Sequence, residues 1–420
     1  MSICLLPNMA YLSETSRTVE IYKALKEHGT TPVVATHGGT YESILKQEGI
    51  PYHIIPPVMS GERCREYVLA NIGKKPNFYT AAELRKDVAG EIEFFKRHKI
   101  TLVHIGFTLS AKLSTRFLGI PLSTAHGSFL PPVFEKRMAP YQKDFDRGLI
   151  RLLPEEWKKR FVNRLYSHAK IYCKPFNAVA KELAIAPVQS VADLFLGDYA
   201  IVTDIPEIIG IPRDEIESWE NSPDSRYSSR IKLFHAGAIY AKLFGEVPQD
   251  VREFLQTDQP KVFVALTSSV EDCLSRVYEV LKDIDCRVIF CTTVHPKNFE
   301  PSENILLKDH IPSHKVMPLC DLAIIHGGQG SIQTAIASGI PVIGFPLQPE
   351  QNLNLQLIEN HKAGFNLPFY TLKKKRLGAY VRKVLNDGIY SENMKRLRSW
   401  QERYNGPENA ARILTELAKR

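Results

Sequence analysis

The sequence predicts an α/β protein built from two open, doubly wound parallel sheets, one in each half of the chain. Three observations predict it. The 420 residues exceed what one hydrophobic core usually serves, so two domains of roughly 200 residues each are expected. Short apolar runs alternate with longer amphipathic segments in both halves, the pattern of parallel strands joined by helical crossovers. A polar, turn-rich stretch, 212–230, interrupts that rhythm midway.

In the first half, strands are expected at 3–7, 31–36, 52–55, 102–105 and 122–124, with helices at 16–27, 41–48, 81–97 and 111–118. The second half restarts with strands at 262–266, 287–291, 323–325 and 342–345, and helices at 270–282 and 332–337. The expected division is a domain over 1–235, a linker over 236–258, a second domain over 259–405 and a C-terminal helix over 406–420 that crosses back to the first domain. No internal repeat or low-complexity tract is present. Ligands of such sheets bind beyond the carboxyl ends of the strands, so a cleft between two facing domains is the expected site.

Composition narrows the setting. Hydrophobic content of 44% and charged content of 24% are those of an ordinary globular protein, not of a disordered or fibrous one. Seven scattered cysteines form no Cys-x-x-Cys pair, which argues for free thiols and against a disulfide frame or zinc site. The N-terminus has no signal-peptide pattern, and no stretch reaches the ~18 apolar residues that span a bilayer. A cytoplasmic protein is expected. The net charge of +8 gathers partly in Lys158-Lys159-Arg160 and Lys373-Lys374-Lys375-Arg376. Such clusters suit anionic lipid, nucleic acid or phosphorylated ligands, but a solvated basic face explains them too, and no nucleic-acid partner is expected. Residues 130–175 mix basic and aromatic side chains at helical spacing. They read either as a lip making peripheral membrane contact with a lipid-linked acceptor, or as an amphipathic helix packed on the first domain with its cations in solvent. The second is the simpler.

The run from Asp321 to Ser331 carries the most chemistry. An apolar strand ends in His326-Gly327-Gly328-Gln329-Gly330-Ser331, and a helix follows. Amides at a helix start attract an anion, and glycines let phosphate oxygens approach the backbone. Ser331 adds a hydroxyl and His326 an imidazole. Alone, the run means a phosphate or nucleotide site, or a purely structural turn. Beyond the next strand stands Glu350-Gln351, a carboxylate beside a carboxamide that suits paired hydrogen bonds to a vicinal diol.

Between about 311 and 364 the sequence resembles the nucleotide-sugar signature of the UDP-glycosyltransferase superfamily, glycosyltransferase family 1. His-Gly-Gly-x-Gly-Ser, Gly-x-Pro, Pro, acidic-Gln and Asn recur in order here. The resemblance implies the GT-B fold, two Rossmann-like domains facing across a cleft, with acceptor bound by the first and donor by the second. It implies that His326, Gly328, Gln329, Gly330 and Ser331 line the diphosphate site and that Glu350 and Gln351 hold sugar hydroxyls. His310 and Ile311 resemble the loop contacting the base, and Thr267-Ser268 resembles a second phosphate-facing turn. Two departures stand out: Thr334 replaces a glutamate that often holds the ribose, and Ser313 replaces a glutamine.

An inverting transfer needs a base for the acceptor hydroxyl. The family's histidine base corresponds to Glu14 here, and the aspartate that orients it falls near Gly106, so both are missing. A carboxylate with a raised pKa does this work without an orienting partner; Glu14 reads equally as an acid favoured by a helix N-terminus. His126 is the second candidate, and His37 and His104 also follow or lie in expected strands. No Asp-x-Asp stands in a fitting context, so no metal and no cofactor beyond the nucleotide-sugar co-substrate is implied. The resemblance therefore implies an inverting, metal-independent transferase moving a hexose from a UDP- or dTDP-sugar to a hydroxyl of a small-molecule or lipid acceptor. The alternatives are a nucleotide-sugar epimerase or an inactive homologue serving as a binding or scaffolding subunit.

Overall fold

The computed structural model describes residues 2–71, 73–125, 148–221, 226–266, 271–292, 299, 302–309, 311–372 and 374–420. The chain forms two compact units. The first holds the described residues of Met1–Met138 and Arg160–Ala241, together with Tyr404–Arg420; the second holds those of Ala139–Lys159 and Lys242–Arg403.

The first sheet has seven parallel strands: β1 (Ile3–Leu5), β2 (Val33–Thr36), β3 (His53–Ile54), β4 (Leu102–Ile105), β5 (Leu122–Thr124), β6 (Tyr199–Val202) and β7 (Lys232–His235), in the order β3-β2-β1-β4-β5-β6-β7. The second has six: β8 (Lys261–Ala265), β9 (Arg287–Cys291), β10 (Ile305–Lys308), β11 (Leu322–Ile325), β12 (Val342–Gly344) and β13 (Gly364–Asn366), in the order β10-β9-β8-β11-β12-β13. Strands such as Leu322-Ala-Ile-Ile are apolar throughout because helices cover both faces, and all four of these residues are buried. In each sheet the winding reverses beside the first strand, between β1 and β4 and between β8 and β11. The loops leaving those strand pairs diverge to opposite faces and leave an uncovered gap at the carboxyl ends.

Some elements differ from the sequence reading. The first helix runs Leu12–Glu27, so Glu14 sits in its first turn rather than in a loop. The helix after the glycine turn begins at Gln329, not 332. β6 and β7 are strands that the sequence reading did not expect, because their pairing, Tyr199 to Lys232 through Val202 to His235, joins segments far apart in the chain. Residues 404–420 return to the first unit: helix Gly406–Lys419 packs on helix Leu12–Glu27, and Asn409 Nδ2 donates to Ala236 O at 2.9 Å. All seven cysteines are free and buried. No described helix is long and apolar enough to cross a membrane.

The first unit buries a charged cluster beneath its sheet. His37 Nδ1 faces two carbonyl oxygens, Ile55 O at 3.0 Å and Pro57 O at 3.1 Å, and its Nε2 faces Glu91 Oε1 at 3.2 Å. All three partners only accept, so both ring nitrogens donate and the imidazole is a cation. Glu91, fully buried, also accepts from the Ser110 and Ser114 hydroxyls, each at 2.5 Å. Burial disfavours the imidazolium, but the Glu91 hydrogen bond and charge, with Asp87, outweigh it and lift the pKa to about 9. His37 therefore has no lone pair free to act as a base. A folded pKa above the unfolded value stabilises the protein fully below about pH 6.5 and loses that contribution as pH rises through 9. Asp87, raised to about 6 mainly by burial, titrates mostly below that window. Denaturant titrations should show stability falling by up to roughly 3 kcal/mol between pH 6.5 and 9.5. Glu91→Gln should flatten that slope; an unchanged slope in the variant would refute the pair's role.

Candidate functional site

The glycine turn stands at the winding reversal of the second sheet. β11 ends at Ile325, and helix Gln329–Ser338 starts with Gly328 as its N-cap. Gly327 has φ +89°, and a Cβ there would lie 2.6 Å from Leu355 Cδ1 and 2.8 Å from Gln351 O, so the position accepts only glycine. The turn is braced from below by helix Pro349–Asn360. Asn354 Nδ2 donates to Gly327 O at 3.0 Å and to Glu350 Oε1 at 2.8 Å.

Glu350 and Gln351 occupy the first turn of that helix. Glu350 Oε1 accepts from Gln329 N at 3.0 Å, a carboxylate placed against the positive end of the neighbouring helix. Gln351, 3% exposed, accepts from Leu347 N through Oε1 at 2.8 Å, and its Nε2 has no partner among the described residues. The amides of Gly330 and Ser331 and the Ser331 hydroxyl likewise have none, and both residues are half-buried. No atom lies within 4 Å of where a Gly330 Cβ would point. Two helix-end donors and a hydroxyl thus converge on open space. That is the arrangement an oxyanion requires.

His326 lies behind this opening. It is 8% exposed, and burial pushes its pKa down to about 4, against a small opposing contribution from the Ala265 backbone on adjacent β8. The imidazole is neutral at ordinary pH, so it can donate or accept but brings no positive charge. Its Nδ1 is buried without a well-formed hydrogen bond among the described residues. Thr334 donates its hydroxyl to Gly330 O at 2.8 Å, within its own helix. Ile311 is buried just before the short helix Ser313–Val316. Thr267, Ser268, His310 and His126 lie outside the described residues. No three His, Cys, Asp or Glu side chains group as metal ligands among the described residues.

Glu14 stands at the equivalent reversal of the first sheet. Its Oε1 accepts from Arg17 Nη1 at 3.1 Å, and the same Nη1 reaches Ala125 O, just past β5, at 3.1 Å. Burial raises the Glu14 pKa above the usual carboxylate range, while Arg17 and the Phe107 backbone pull it back. The other oxygen lies directly over Gly106: a Cβ there would fall 1.1 Å from Glu14 Oε2. The glutamate at 14 and the glycine at 106 are therefore one structural fact. The carboxylate reaching across from residue 14 fills the space in which a side chain at 106 would stand. Sequence reasoning gave no role to Arg17 or Asn354 and did not foresee the occupancy of Gly106, because the Arg17–Ala125, Asn354–Gly327 and Glu14–Gly106 approaches join segments far apart in the chain. His104 has its Nδ1 on Ser123 Oγ at 3.0 Å, buried within the sheet.

Comparisons with known proteins agree with this geometry. Residues 275–417 match the family model described as Erythromycin biosynthesis protein CIII-like, C-terminal domain. A PGL/p-HBAD biosynthesis glycosyltransferase of Mycobacterium tuberculosis is 25% identical over 366 residues, covering 85% of this chain and 78% of its own. A human UDP-glucuronosyltransferase, 3A2, is 30% identical over 169 residues, 37% of this chain and 32% of its own. Among solved structures, the spinosyn rhamnosyltransferase complexed with thymidine diphosphate superposes with a TM-score of 0.67 at 13% identity, covering 99% of this chain and 100% of that one. Two Rossmann-like parallel-sheet domains with these structural neighbours give the GT-B fold. The matched family model and the curated relatives support a glycosyltransferase.

The turn's two glycines should respond oppositely to alanine. Gly327→Ala is expected to cost about 1–3 kcal/mol in denaturant unfolding, from the forced φ and the Leu355 clash. Gly330→Ala should stay within about 0.5 kcal/mol of the parent. Equal losses would mean that the space beside Gly330 is not open.

Proposed function

We propose that this glycosyltransferase is inverting and metal-independent, and that it moves a hexose from a dTDP- or UDP-sugar to a hydroxyl of a small-molecule or lipid acceptor. The observation that carries the reading is the set of open donors at the helix start, Gly330 N, Ser331 N and Ser331 Oγ. Donors fixed there before the reaction would bind the donor's diphosphate and stabilise its charge as it leaves. The unpaired Gln351 Nε2 suits a hydroxyl of the transferred sugar, and Glu350, now holding Gln329 N, is the neighbouring acceptor for another.

In the proposed step the acceptor oxygen attacks the anomeric carbon from the face opposite the diphosphate. Glu14 takes the acceptor's proton, the bond from the anomeric carbon to the diphosphate oxygen breaks, and the diphosphate departs with the electron pair. A carboxylate with its pKa raised by burial is a better base than one in water, and Arg17 fixes its direction. Arg17 and Gly106 are positioning residues in this scheme. Free buried thiols support a reducing, cytoplasmic setting.

The test is kinetic. Glu14→Ala and Glu14→Gln should lower kcat by about 10²–10⁴, with donor affinity by calorimetry unchanged. Gly106→Ala should lower kcat comparably by displacing the Glu14 carboxylate. Gly330→Val should instead weaken donor binding. Full turnover in Glu14→Ala would remove it as the base, and unaltered donor affinity in Gly330→Val would remove the turn as the diphosphate site.

A further inference from the structure

Large apolar side chains exposed to solvent are not spread evenly over this protein. Eight of the fifteen found among the described residues fall within 149–171. On helix Glu155–His168, Trp157, Phe161 and Leu165 recur every four residues and so share one face, and they are 63%, 68% and 41% exposed. The 3-10 turn that precedes the helix, Gly148–Leu152, adds Leu149 at 82% and Leu152 at 79%. The sequence reading of a helix with its apolar side packed away does not hold for this stripe: the stripe, Arg160 and Arg164 are in solvent, while Lys158 is buried. A contiguous exposed apolar surface of this kind marks a binding face.

Charge identifies what it binds. Arg160 and Arg164, three and seven residues on from Trp157, border the same face, are exposed and form no ion pair with a described residue. The helix's two first-turn acids do not offset them, because Glu155 and Glu156 both pair with Lys159, at 3.1 and 3.6 Å. Arg151 and Lys170 extend the positive border at either end. A surface of acyl chains beneath anionic headgroups takes aromatic and aliphatic side chains rimmed by cations, which is the arrangement on this face.

We propose that helix Glu155–His168, with the turn before it, docks this glycosyltransferase on an anionic lipid surface. Trp157, Phe161 and Leu165 enter the headgroup boundary, and Arg160 and Arg164 meet lipid phosphates. The proposal goes beyond the transfer reaction and holds whatever the acceptor is.

Sedimentation of the full-length protein with lipid vesicles tests it. The protein should bind vesicles of equimolar phosphatidylcholine and phosphatidylglycerol and bind phosphatidylcholine alone far more weakly, and salt should weaken the former. Trp157→Ser/Phe161→Ser and Arg160→Gln/Arg164→Gln should each lower the partition coefficient on the order of tenfold or more. Circular dichroism and thermal midpoints should match the parent in both variants, since all four positions are exposed. Absence of binding to the anionic vesicles, or equal binding by the parent and the Trp157/Phe161 variant, would overturn the proposal. So would a concentration-dependent dimer that the same apolar substitutions abolish without vesicle binding, which would assign the face to a second copy of the chain.

Discussion

The proposed site depends on a constraint of parallel sheets: crossovers that leave neighbouring strands for opposite faces cannot cover the ends of both. At β8 and β11 the uncovered end exposes the start of a helix, and at β1 and β4 it holds Glu14, buried over Gly106. Backbone amides that would otherwise be satisfied by packing are left facing outward there. Such donors are fixed in place by the sheet, so a ligand meets them without reordering the chain.

Rigidity around the openings comes from side chains that brace the backbone. Asn354 and Glu350 tie the Gly327–Gln329 turn to the helix beneath it. One amide of the turn is thereby consumed by a carboxylate, while the next two stay open. In the first unit, Arg17 links Glu14 to the end of β5, and the buried His37–Glu91 pair holds the loop after β2 to helix Ala81–Arg97. Polar groups this deeply buried are tolerable only when each is paired, and His37 and Glu91 meet that condition with five hydrogen bonds between them and their neighbours.

The pairing of Glu14 with Gly106 shows how one fold accommodates a buried carboxylate at this position. A longer carboxylate at position 14 requires that position 106 carry no side chain, and the contact distance leaves no room for both. The change at either position makes sense only with the other. A buried carboxylate also shifts its own pKa upward, so the substitution changes the acid–base character of the site as well as its shape.

The sequence by itself determined the alternation of strands and helices, the two-sheet plan and the glycine turn, because these follow from local periodicity and from residues that permit unusual backbone angles. Strands β4, β5 and β9 begin and end where the apolar runs do. It did not determine β6 and β7, whose edge pairing depends on partners distant in the chain, nor the early start of helix Leu12–Glu27. Only the tertiary structure decided that Glu350 caps Gln329, that Glu14 lies over Gly106, that His37 is a cation, and that the Trp157 face stays in solvent. Each of these is a contact, or a missing contact, between segments that sequence order keeps apart, and burial and charge act through space rather than along the chain.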